Sequence, residues 1–331
     1  MTNQAGSASV TAPVGQAIEH VKRFLFRPFD IDRWVIVGFC AWLAYLGETG
    51  FSFRYHGKAQ QHQVTSGNFH EQLEHARAYV MANLAWIVPL AVGIVLFLLA
   101  TGVLVTWLKS RGEFMFLYCV ALDRAEVSTP WRRYKTEGNS LFLFRLVLAL
   151  MALAPVWPLL LIGIPPAFRM YHMGRVDAPD VLVLVAVFFV FFLTGMVFLV
   201  IRKLTLDFVV PIMFLRSKRC WEAWQEFLPV LARNLGNFVI YLLFQIVLTM
   251  GIFMMVAAAV LATCCIAGCL MMIPYLGAVL LLPVLMFKRS YSLHYLAQYG
   301  PEYNVFPPVP SAPLPPPPPP PPPANPTAAV W

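Results

Sequence analysis

Between Leu235 and Phe287 the chain carries no Asp, Glu, Lys or Arg, a run of 53 residues. One helical crossing of a bilayer needs about 20 apolar residues to span about 30 Å of hydrocarbon. The run is long enough for two crossings joined by an apolar turn, which falls between Thr263 and Pro274. A soluble domain has no interior able to hide such a length. An integral membrane protein follows. Its crossings are helices, because a helix satisfies its own backbone hydrogen bonds where water is absent.

The composition agrees. Hydrophobic residues make up 59% of the 331 positions and charged residues 12%, roughly half of the ~25% usual in soluble domains. A net charge of +8 could serve nucleic acid, but in a membrane chain Lys and Arg gather in loops that face the cytoplasm and anionic lipid. No nucleic-acid module is visible, and membrane lipids are the expected partner. The first thirty residues lack a continuous apolar core ahead of a small-residue cleavage site, so the first span is expected to act as its own insertion signal.

Read in order, residues 1–15 are small and polar and are expected to be disordered. Residues 16–33 place Ile18, Val21, Phe24 and Leu25 on one side and Glu19, Lys22 and Arg23 on the other, the pattern of an interfacial amphipathic helix that stops near Pro28. Six spans are expected, at about 34–47, 82–108, 140–164, 180–201, 236–261 and 269–287, with the third ended by Gly163 and the Pro165–Pro166 breaker. Trp34, Trp107, Trp131 and Trp224 sit where interfacial anchors belong. The membrane domain covers 16–304, and 305–331 is a proline-rich tail expected to be disordered. Within it Pro315 to Pro323 must adopt polyproline II, either as a spacer or as a ligand for a proline-recognising protein.

Six spans divide the 24 Lys and Arg unevenly: 18 fall on the side of the two termini and five on the other, with Arg145 inside span three, near enough to its rim to reach out. The positive-inside rule then places both termini in the cytoplasm, and the cytoplasmic (inner) membrane is the expected location.

The stretch Arg202 to Tyr241 forms part of this basic rim, and a fainter copy lies about ninety residues earlier. Glu113, an apolar run to Leu122 and Arg124 match Asp207, an apolar run to Leu215 and Arg216. Trp131-x-x-Tyr134 matches Trp224-x-x-Phe227, and Asn139 matches Asn234 and Asn237 as the opening of the next span. Two origins remain open: a duplicated hairpin, as transporters often use, or the Trp and Arg that any membrane rim collects.

Glu113 and Asp207 are the acids of most interest. Each has basic neighbours, Arg111 for the first and Arg202 and Lys203 for the second. Ionisable groups at membrane depth are functional candidates, and near the rim they also serve as structural ion pairs. The histidines of 48–80 include His70-Glu71-x-x-x-His75, which lacks the i, i+4 spacing of a helical zinc pair, so no metal is expected there. The six cysteines, among them Cys264, Cys265 and Cys269, lie in apolar surroundings that suit small packing residues. No nucleophile elbow, phosphate loop or catalytic carboxylate pair is present, so neither an enzyme nor a cofactor is expected.

The segments RFLFRPFDIDRWVIVGFCAWL, RGEFMFLYCVALDR, PIMFLRSKRCWEAWQEFLPVLARNLGNFVIY and IPYLGAVLLLPVLMFKRSYSLHYLAQYGPEY resemble uncharacterised bacterial multi-pass proteins of the domain-of-unknown-function type. They are also similar to the membrane region attached to some glycerophosphodiester phosphodiesterases. The resemblance covers about 16–304 and implies a six-span membrane module. It carries over no catalytic residue, since the hydrolase barrel and its metal ligands are absent. The expectation is an all-α, non-enzymatic membrane protein with interfacial helices on the cytosolic side that organises or assists lipid or envelope processes. The alternative is a transporter of small solutes or lipid built on the repeated hairpin.

Overall fold

Four stretches are helical and apolar enough to cross a membrane: Leu84–Leu122, Lys135–Met170, Ala178–Arg216 and Leu235–Ala262. They overlap the segments expected at 82–108, 140–164, 180–201 and 236–261. The computed structural model describes residues 9–27, 29–46, 79, 81–173, 177–263, 266–271 and 273–306, and among them there is no strand. The histidines of the first loop, Cys264, Cys265 and the polyproline run lie outside the described residues.

The helices are α1 (Ala12–Phe26), α2 (Ile31–Ala44), α3 (Leu84–Leu122), α4 (Ser128–Arg133), α5 (Lys135–Leu153), α6 (Val156–Met173) and α7 (Ala178–Leu204). After one π-helical turn, Thr205–Val209, come α8 (Val210–Arg216), α9 (Cys220–Arg233), α10 (Leu235–Ala262), α11 (Ile266–Met271), α12 (Pro274–Leu280) and α13 (Leu282–Ala297). Expected span one is thus the 14-residue α2, and expected span six is divided among α11, α12 and α13.

Each long helix has two halves in different surroundings. α3 has 39 residues, about 58 Å at ~1.5 Å per residue. Its first half is exposed and apolar, as a lipid-facing helix is, whereas residues 110–121 are buried throughout. The apolar run Phe114 to Leu122 therefore belongs to the span helix itself and carries it on into a packed head. α7 does the same through the π turn and α8. Around these extensions α1, α2, α9 and α13 bury Phe24, Phe116, Phe208, Phe227, Tyr291 and Leu296.

Proline sets several local shapes, and not always as expected. α6 runs through Pro165 and Pro166 to Met173, so the expected breaker does not end it. The break falls earlier, at Ala154 and Pro155, between α5 and α6. Proline inside an apolar helix is tolerated where neighbours or small backbone adjustments absorb the lost bond, and Pro89 likewise leaves α3 unbroken. Pro211 has the larger effect. Its ring would crowd the Asp207 carbonyl and it has no N–H to donate; the chain responds by widening into the π turn just before it.

Residues 9–15 and 305–306 pack on the rest of the fold. α1 starts at Ala12 with Pro13 in its first turn, a favoured position. The Ser9 amide donates to Gln298 Oε1 at 2.8 Å, and Gln298 Nε2 donates back to the Ser9 carbonyl at 3.0 Å. Val305 is buried and Phe306 stacks on His294 at 4.4 Å. Residues 9–15, 305 and 306 are thus part of the fold.

Candidate functional site

The site is built at the foot of a cleft of about 1000 Å³. Its long wall is α10. On that helix Phe238, Tyr241, Gln245, Thr249, Ile252 and Val256 recur at spacings of three and four, which aligns them as one stripe. Phe238, Tyr241 and Gln245 are buried in the head. Thr249, Ile252 and Val256 continue the same stripe into the cleft, which Leu199 of α7, Leu281 between α12 and α13, and Leu285 of α13 also line. The volume is at the upper end of the range for small-molecule sites, ~300–1,000 Å³. Leu199, Phe253 and Leu261 line it and are 59%, 66% and 73% exposed, so the cleft opens on the same apolar surface as the long helices.

The foot is charged. Arg202, Lys203, Lys288 and Arg289 line it together with Glu113 and Asp207, so four cations meet two carboxylates, 4 − 2 = +2. The two acids come from different chain segments and share the neighbourhood of Arg289. Glu113, 4% exposed, lies 3.4 Å from Arg145 Nη2 and 3.8 Å from Arg289 Nη2. Asp207, 7% exposed, accepts from Tyr241 Oη at 2.9 Å and pairs with Lys203 Nζ at 2.8 Å, one helical turn before it. Gln245 Nε2 donates to the Tyr241 hydroxyl at 3.1 Å and orients it.

Arg289 is placed by the π turn. In an α-helix the Leu206 carbonyl would accept from Val210 N–H, but that group donates to Thr205 instead. In π register its partner would be residue 211, which is proline. The orphaned carbonyl accepts from Arg289 Nη1 at 2.7 Å. Arg289 Nε and Nη2 are buried and have no hydrogen-bond partner, the 3.8 Å to Glu113 being ion-pair distance only.

The remaining candidates have packing partners. Arg111 lies two residues from Glu113 and therefore on another face of α3. Its guanidinium sits in the corner of two perpendicular indoles, 4.6 Å from the Trp107 ring and 4.7 Å from the Trp131 ring, and it donates to Asn139 Oδ1 at 3.3 Å. Trp34, Trp107, Trp131 and Trp224 are all half-buried. Trp34 donates to the Leu25 carbonyl and Trp107 to Asn139, while Trp224 stacks on Phe144. The tryptophan that stands free on α9 is Trp221, 67% exposed. Arg145, read from sequence as reaching for the rim, turns inward to Glu113 and Ser110. Among the described residues no three His, Cys, Asp or Glu side chains converge as metal ligands.

Sequence reasoning missed Arg289, Tyr241, Gln245 and Arg145 as members of the site. One signal was available: Lys288 and Arg289 are the first charges after Arg233. A charged pair there must either leave the apolar region or be paired within it.

A family model described as a family of unknown function (DUF7544) matches residues 9–281. No curated protein matches, and no solved structure matches. The comparisons therefore lend nothing to the likeness with the membrane region of phosphodiesterases.

Proposed function

The chain belongs to the DUF7544 family of unknown function, and from that premise we propose that it is a non-enzymatic, multi-pass module of the inner membrane that handles lipid, taking an acyl chain from the bilayer into the cleft beside α10. The observation that carries this reading is the change of partner along one helical stripe. Phe238, Tyr241 and Gln245 are packed, whereas Thr249, Ile252 and Val256 face open volume. From Thr249 to Leu261 the wall is 12 residue steps, about 18 Å, against about 15 Å for half of a ~30 Å hydrocarbon layer. An apolar wall of one leaflet's depth, open to the lipid-facing surface and closed by charge, suits an amphiphile standing upright.

In this reading the chain crosses six times with both termini cytosolic, because six spans sort the Lys and Arg 18 against five. The repeated hairpin gains support from matched local geometry. Ten positions after each acid stands a residue in left-handed conformation, Asp123 at φ 53° and Ser217 at φ 51°. The aromatic next to each acid stacks on the aromatic expected from the other half of its unit, Phe114 on Tyr134 at 5.9 Å and 13°, Phe208 on Phe227 at 5.4 Å and 14°. A second reading, a transporter of lipid or small solutes, is favoured by the acids of both units lining one cleft.

The test fills the cleft. Full-length protein purified in detergent is compared by native mass spectrometry with the variants Ala257→Trp, which points into the volume, and Met254→Trp, which stands outside it at 69% exposure. Bound lipid is expected on the wild type and Met254→Trp and lost from Ala257→Trp. Equal lipid on all three sinks the reading.

A further inference from the structure

The cleft's foot also says which lipid. We propose that the cleft selects an anionic phospholipid, with the phosphate of its headgroup held by Arg289 and flanked by Arg202, Lys203 and Lys288; this rests on the lipid-handling reading above.

Arg289 carries the argument. A guanidinium has five N–H donors in a planar fork, and here one nitrogen is committed to the Leu206 carbonyl. Nε and Nη2 are unpaired in hydrogen bonds, on a residue 4% exposed that lines the cleft. Buried donors left without acceptors are costly, and a phosphate presents several acceptor oxygens in the geometry that a guanidinium fork matches. Arg202, Lys203 and Lys288 line the same foot, and cationic side chains hold phosphate oxygens by charge-assisted hydrogen bonds.

The two carboxylates argue against a zwitterionic headgroup. Glu113 is taken by Arg145 and Arg289, and Asp207 by Lys203 and Tyr241. A choline or ethanolamine ammonium would have to compete with these groups for either acid. The acyl chain then follows the stripe from Thr249 past Ile252 and Val256.

The experiment uses full-length protein in nanodiscs made from phosphatidylcholine with a minor fraction of phosphatidylglycerol. Bound lipid is identified after transfer to detergent. Wild type is expected to enrich the anionic lipid over its bulk fraction by about tenfold, equivalent to ~1.4 kcal/mol. The double variant Arg202→Gln, Lys288→Gln at the margin of the foot is expected to lose most of that enrichment while still binding lipid. Arg289→Lys, which keeps the charge and loses the fork, is expected to lower it further. Thermal unfolding of each variant checks that it is folded, and the margin variant keeps the test alive should Arg289→Lys not fold. Lipid bound in bulk proportions overturns the headgroup assignment and leaves the lipid-handling reading standing. Absence of any bound lipid overturns both. Oleate retained as well as phosphatidylglycerol, or inorganic phosphate stabilising the protein as much as the lipid does, also overturns the assignment.

Discussion

Asp207 is a charge in a place where an unpaired charge is unaffordable, and its partners explain its survival there. Lys203 neutralises it at 2.8 Å and Tyr241 donates to it at 2.9 Å from a fully buried ring. Tyr241→Phe keeps the packing on Phe208 and Tyr291 but removes the donor. A hydrogen bond to a charged group contributes ~1.5–3 kcal/mol, so thermal unfolding in detergent should show a loss of that size. Tyr291→Phe removes a neutral bond to the Val10 carbonyl and should cost less, about 0.5–1.5 kcal/mol. Equal losses would mean that Tyr241 acts only as a ring. Glu113 and Asp207 were legible in the sequence as acids beside apolar runs. Arg289 was not, because it lies 83 positions from the Leu206 carbonyl that holds it and only the folded chain makes them neighbours.

Among the elements, α2 and α3 lie backbone against backbone at Gly112. A Cβ there would stand 2.6 Å from the backbone of Leu43 and of Ala44. No flexible side chain can yield, so Gly112→Ala must separate the helices, and overpacking of this kind costs ~1–3 kcal/mol or more. Gly102, on the exposed half of the same helix, has nothing within 4 Å of that position. Gly102→Ala should be neutral or gain up to about 1 kcal/mol from helix propensity. The two variants compared by thermal unfolding give the sign directly. Element identity was legible from apolar run length. The π turn before Pro211 was not, since a π turn, a kink and a break can all answer a proline. Nor did sequence reveal that the span helices continue into the head, since an apolar run inside a charged connection reads equally well as a separate segment.

At the scale of the whole molecule α1 packs on α13, from the far part of the chain. His20 and His294 meet edge to face at 6.3 Å, with Phe306 against both. Facing them are Asp123, 3.4 Å from His20 Nε2, the Val120 carbonyl and Arg23. Burial lowers the pKa of His294 to about 4, helped by His20 and Arg23, and burial lowers that of His20 against the pull of Asp123. The unfolded chain therefore takes up protons, near pH 6.5, before the folded one does. Stability should be level above about pH 7.5 and fall as pH drops through 6.5 toward 5. His294→Phe should flatten that slope in melting temperatures measured across pH 5–8; an unchanged slope would exclude His294 as its source.

The sequence by itself determined the class of this protein, its long apolar helices and the two acids at their charged ends. These depend on local quantities: run length, the presence or absence of charge, and the spacing of residues on one helix. The tertiary structure decided where the long helices pass from exposed to buried, which cations the acids meet, and that half of one α10 stripe is packed while the other half lines a cleft. Those are properties of neighbours remote in the chain. A stripe of Phe, Tyr, Gln, Thr, Ile and Val reads the same in sequence whether or not another helix lies against it.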